Sequence, residues 1–279
     1  QERQNPDEKL IYFMPTAGGP CRFGQYSVFL KKLTERLRIE DTAIYSPNAE
    51  NSYTDLGGKG LDEALWQGII VADVFQEIYS TLLVNAVDNE AALAVFEDAW
   101  KLVLKTMEGG FDIRSLDRTL AIVAENMGRI PLKRTLEKTP VILLAGEIYV
   151  RNDDISRQYI LEDLSRRGFA VKVASLAEWI YYTGWCVQQN VSTTKSTWRE
   201  RLSLRIRTFF MKRREKAIRT ILAGSGLCSV RCEDVDHVLA HTTHLIKPDL
   251  TGEAILTIGS SINEVVDYYC GVIAIGPFG

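Results

Sequence analysis

Val141-Ile142-Leu143-Leu144-Ala145, then Asp153 and Asp154, a run at helical spacing to Arg167, and Gly168 before Phe169-Ala170-Val171-Lys172-Val173 form the stretch on which the fold turns. Both apolar runs are too short for helices and too continuous for half-exposed strands, so each is expected as a strand buried on both faces. Asp153 or Asp154 supplies a cap for the intervening helix and Gly168 a stop. The expected unit is strand, helix, parallel strand. Such units connect right-handedly into doubly wound sheets that bind ligands beyond the carboxyl ends of their strands.

The same pattern occurs earlier. Lys9-Leu10-Ile11-Tyr12-Phe13-Met14 is an apolar run ended by Pro15 and two glycines, Gln25 to Arg38 carries apolar residues at helical spacing, and Ala43-Ile44-Tyr45-Ser46 is a second short strand. Leu61 to Val84 reads as an amphipathic helix after a long polar loop, and residues from Asn89 to about Lys138 read as helices broken at Gly109-Gly110 and Pro131. Downstream, Thr183 to Ala223 reads as helical with a stop at Gly224, helices flank Gly252, and Val272-Ile273-Ala274-Ile275 is the last strand. The fold class expected is α/β, with two Rossmann-like, doubly wound lobes. The first spans 1–138 with a helical insertion at about 89–138; the second spans 139–279 with an insertion at about 183–225 and a truncated end. The chain opens on Gln1 and stops at Gly276-Pro277-Phe278-Gly279 straight after a strand, so a piece of a longer protein is expected.

At 279 residues and 46% hydrophobic content there is enough apolar surface for a sizeable core. With 33 basic and 36 acidic residues the net charge of −3 offers no field for gathering nucleic acid or anionic membrane. The basic stretch Met211 to Lys216 reads as a solvated helix face. No apolar run approaches the ~20 residues of a membrane span and the start lacks a signal-peptide core, so a cytoplasmic location is expected. Five cysteines, at 21, 186, 228, 232 and 270, are an odd number, which argues for reduced thiols over a disulfide framework.

Cys21 is placed at or near a helix N-terminus, where the helix dipole, free N–H groups and Arg22 favour a thiolate able to ligate a metal–sulfur centre. Gly19 lets backbone approach a bulky ligand, and Pro20 and Gln25 complete the loop. The competing reading is a buried cysteine in a tight turn. Glu147 and Arg151, just beyond the strand Val141–Ala145, are a candidate ligand-binding pair, or else a solvent-facing ion pair of little energetic weight. Cys228 and Cys232 are spaced to share one helical face, as are His237, His241 and His244; Val238 stands where a metalloprotease motif needs Glu, so surface or structural roles are expected and no metal other than iron–sulfur. Gly57-Gly58-Lys59-Gly60 lacks the spacing of a phosphate loop, and no ATPase signature is present.

Gly19-Pro20-Cys21-Arg22-Phe23-Gly24-Gln25-Tyr26, Ala64 to Asp73, Gly146-Glu147-Ile148-Tyr149-Val150-Arg151, Gly252-Glu253-Ala254-Ile255-Leu256 and Ile275 to Gly279 together resemble the dehydratase-like region of the large CoA-substrate-specific activase fusions. That region is similar to 2-hydroxyacyl-CoA dehydratase, benzoyl-CoA reductase and double-cubane cluster proteins. The resemblance implies cysteine-ligated iron–sulfur clusters, electrons supplied by an ATP-hydrolysing activase domain or subunit, and an acyl-CoA substrate. ATP would be bound only by that separate activase region. Cys21 alone falls on a family cysteine position; the next family cysteine is expected just past Gly279. The catalytic residues stay unassigned and a homodimer stays open. A second reading is a docking or regulatory module that binds no cluster, and a third is a flavodoxin-like nucleotide binder.

Overall fold

The computed structural model describes residues 5, 8–16, 22–47, 59–108, 110–191, 195–242, 244–250 and 252–276 of the chain. It is mixed α/β, with short parallel strands in two small sheets. In the first, β1 (Leu10–Phe13) pairs in parallel with β2 (Thr42–Tyr45), connected through a 3₁₀ turn at Arg22–Gln25 that runs directly into α1 (Tyr26–Arg36). Asp41 takes a left-handed φ of 53° before β2, and its carbonyl accepts Leu10 N at 2.9 Å, which fixes the pairing register.

The second sheet has the order β4-β3-β5, with β3 (Val141–Gly146) central between β4 (Ala170–Val173) and β5 (Gly271–Ile275), all parallel. Alternation along β3 sends Leu144 to one face, where it packs with Leu161, Val171 and Val173, and Leu143 and Ala145 to the other. The long helix α2 (Lys59–Asn85) covers β4, while Trp66, Ile70, Val74, Ile78 and Leu82 bury at helical spacing. They join one core with α3 (Asn89–Glu108), α4 (Ile113–Gly128), α7 (Leu176–Gln188), α8 (Trp198–Ala223), α9 (Val235–Thr242) and α10 (Ala254–Asp267). This core is continuous across residue 138, so the lobe boundary expected there is not a boundary of packing.

Two expected helices take other bounds. The helix expected from Asp153 to Arg167 shortens to α6 (Ile160–Arg166), and a separate short helix, α5 (Ile148–Asn152), precedes it. Asp153 does not start a helix: its carboxylate accepts Ser156 N at 2.8 Å in a tight turn, and Gln158 and Tyr159 both take φ of 54° before the chain restarts. The segment from Thr183 to Ala223 starts earlier, at Leu176 capped by Ser175, and breaks near Asn190, whose φ is 55°. Helix α8 then begins on a reciprocal capping box between Thr197 and Glu200. Among the described residues no helix is long and apolar enough to cross a membrane.

Candidate functional site

Strand β3 ends at Gly146, whose φ of 118° and whose missing Cβ are both required: a Cβ there would lie 1.8 Å from Ile275 O. The close approach lets Ile275 O accept Glu147 N at 3.0 Å and turns the chain sharply into α5. Glu147 caps that helix, accepting Val150 N at 2.7 Å. Arg151, one turn on, is only 4% exposed. It donates from Nη1 to Gly146 O at 2.7 Å and from Nη2 to Ser175 O at 3.2 Å, joining the ends of β3 and β4, while its Nε has no partner. Glu147 and Arg151 are therefore not a solvent-facing pair.

Glu253, just before α10, accepts Ile148 N at 3.2 Å. Burial pushes its carboxyl up to about 7, with nearby Glu147 adding to the shift and Arg151 opposing it. Asp73 of α2 accepts Leu176 N and Ala177 N, both at 3.1 Å, and so docks the start of α7. Burial pushes Asp73 up to about 6 even against those two donors. Gln76 donates to Asn152 Oδ1 at 3.4 Å. Beside these groups runs a groove of about 460 Å³ lined by Leu65, Gly68, Ile69 and Ala72 of α2, with Met107 and Leu176. Gly68 permits the approach of α3, since a Cβ there would sit 3.3 Å from Met107 Cε. The segments Ala64–Asp73, Gly146–Arg151, Gly252–Leu256 and Ile275–Gly276 thus converge on the carboxyl edge of one sheet, where such sheets bind ligands.

A second charge cluster lies along β4, between α2 and α8. Lys172 Nζ lies 3.0 Å from Glu77 and 3.6 Å from Glu233, and Arg219 lies 3.2 Å from Glu77, 3.2 Å from Glu215 and 3.5 Å from Glu233. Ser229 N donates to Glu77 at 2.8 Å and Tyr181 OH to Glu215 at 2.8 Å. Burial opposes charge on Glu77 and Glu233, yet Lys172 and Arg219 outweigh it and hold both carboxyls below the ordinary range. The adjoining cavity of about 180 Å³ is therefore lined by charges that already neutralise one another.

Gly19, Pro20 and Cys21 lie outside the described residues, as do Gly57 and Gly58. Arg22 and Gln25 form the ends of the 3₁₀ turn leading into α1, and Gln25 makes no side-chain cap. Cys186 and Cys228 are buried, and burial pushes their thiols up to about 11 and about 12. Cys228 and Cys232 sit in a loop, not on a helical face. Cys270 is exposed at the amino end of β3, where its N and Sγ donate to Val141 O at 2.9 and 3.1 Å. His237 is exposed on α9 whereas His244 falls beyond it, so the three histidines do not share one helix. Among the described residues no three metal-ligating side chains gather, and these dispersed thiols do not fit an iron–sulfur cluster.

Sequence reasoning placed Glu147 and Arg151 at the carboxyl end of β3, where the structure has them, but missed Asp73, Glu253 and the charge cluster along β4. Its signal was available: Glu77 and Lys172 each interrupt an apolar run, and a charge in a buried run calls for a partner. No protein-family model matches the chain, and no curated protein or solved structure is significantly similar to it.

Proposed function

We propose that this chain is a region of an iron–sulfur, ATP-dependent, low-potential electron-transfer system acting on acyl-CoA-type substrates. In this reading its two parallel units are Rossmann-like lobes of a dehydratase-type enzyme, Cys21 ligates a cluster completed by ligands outside the described residues, and a separate ATPase supplies the electrons. The observation that carries the reading is the convergence of four family-like segments on one carboxyl edge beside an apolar groove. The groove suits the apolar part of a thioester, and Asp73 and Glu253 are carboxyls able to exchange protons near neutral pH. Anaerobic reconstitution with ferrous iron and sulfide tests the cluster: the expected result is bound iron and sulfide that a Cys21→Ala variant loses. Equal iron in the variant, or none in either protein, overturns it.

A second reading, a docking or regulatory module without a cluster, draws support from the buried, protonated state of Cys186 and Cys228 and from Cys270 standing at the wrong sheet edge. It predicts no iron uptake in the same assay.

A further inference from the structure

The first half of α8 carries two apolar faces. Leu204 and, further on, Ile218 and Leu222 are buried against the core. On the other side Trp198, Leu202, Ile206, Phe209 and Phe210 are exposed, from 51% at Leu202 to 64% at Trp198. At about 100° per residue these five positions fall within about 120° of one another, centred roughly opposite the buried face. They form a strip about 18 Å long at 1.5 Å rise per residue.

Charge is concentrated on the same segment. Between Trp198 and Arg214 the sequence carries Arg199, Arg201, Arg205, Arg207, Lys212, Arg213 and Arg214 against one acid, Glu200, in a chain whose net charge is −3. Arg214 is committed to Asp117, and Lys212 lies 3.6 Å from Asp236. Among the described residues Arg201, Arg205 and Arg213 make no ion pair. The strip is held rigidly, because the capping box fixes one end of α8 and the core fixes the other.

We propose that the outer face of α8 is the docking surface for an acidic partner protein, whose contacting face is an apolar strip flanked by carboxylates. Aromatic residues and arginine are enriched at protein interfaces and lysine is depleted there, which matches three aromatics beside Arg199, Arg201, Arg205 and Arg213. Arginine forks also pair bidentately with carboxylates, which favours protein acidic groups as the counter-charge. A second copy of this chain is disfavoured, since pairing two such strips brings like charges together without compensating acids. The proposal stands independently of the function proposed above.

The test uses the intact chain and two labelled designed helices, each with a leucine–isoleucine strip, one flanked by glutamates and one by lysines. Binding is followed by fluorescence anisotropy. The glutamate-flanked helix binds and weakens with added salt, while the lysine-flanked helix does not bind. Phe209→Ser with Phe210→Ser lowers affinity by at least about ten-fold, and Arg205→Glu with Arg213→Glu reverses the preference to the lysine-flanked helix. All four positions are exposed, so unchanged thermal unfolding accompanies both results. Equal binding of both helices, no binding of either, an unreversed preference in the charge-swapped variant, tighter association with phosphatidylglycerol vesicles, or self-association of the chain through the strip would each overturn the proposal.

Discussion

The carboxyl edge of the second sheet and the charge cluster along β4 use their charged side chains differently. Along β4 Glu77 and Glu233 are matched by Lys172 and Arg219 and are held low, while burial still raises Glu215. At the carboxyl edge Asp73 and Glu253 receive backbone N–H groups and incomplete compensation, and both are held high. The paired cluster holds the fold together, whereas carboxyls raised by burial beside an open groove are the groups the proposed function would use.

Breaking the cluster along β4 should have the largest effect. Arg219→Ala leaves buried Glu215 without its cation and Glu77 and Glu233 sharing Lys172 alone, and is expected to cost about 3–5 kcal/mol in urea unfolding. Adding Glu215→Gln to it, which neutralises the carboxylate left without a cation, should recover a large part of that loss; a cost that persists unchanged would mean Arg219 acts through packing alone. Leu144→Ala, on the most enclosed strand, should cost about 2–5 kcal/mol by the same measurement.

The carboxyl edge should respond in the reverse sense. Glu253 binds its proton more tightly in the folded chain, so the stability tied to that proton is present below about 4.5 and is lost as pH rises toward about 7. Glu77 and Glu233 titrate below the ordinary range, so their contribution is present at neutral pH and is lost on acidification. Glu253→Gln is therefore expected to raise stability above pH 7, by on the order of 1 kcal/mol for a partly buried carboxyl, and to change little at pH 4. Urea midpoints measured from pH 4 to pH 8 check this, and a loss of stability at pH 8 would sink it.

The smallest effect is expected in the first sheet. Ile11 and Phe13 are 63% and 53% exposed, and α1 buries no residue. Phe13→Ala should cost under about 1 kcal/mol, as exposed positions do; a loss as large as that of Leu144→Ala would show that β1 is packed after all.

Strands and their parallel pairing were legible in both sheets because short apolar runs bounded by Gly and Pro are local signals. What covers a strand is not local: β1 and β3 look alike in sequence, yet Leu143 and Leu144 are enclosed and Leu10 and Ile11 are not. The broken helices at Tyr159 and Asn190 were hidden because left-handed turns there carry no glycine. Glu147 and Arg151 were found by position after a strand. Asp73 and Glu253 lay within noticed segments, but their roles depend on contacts with residues more than 100 positions away in sequence, Leu176 and Ile148.

The most direct test titrates lactoyl-CoA, a 2-hydroxyacyl thioester, into the chain by calorimetry beside an Ala72→Trp variant, which fills the groove from an exposed position on α2. Binding that is lost in Ala72→Trp and kept in the Arg219→Ala, Glu215→Gln variant places the ligand at the carboxyl edge. Binding that survives a filled groove, or that disappears only when the charges along β4 are removed, contradicts that assignment.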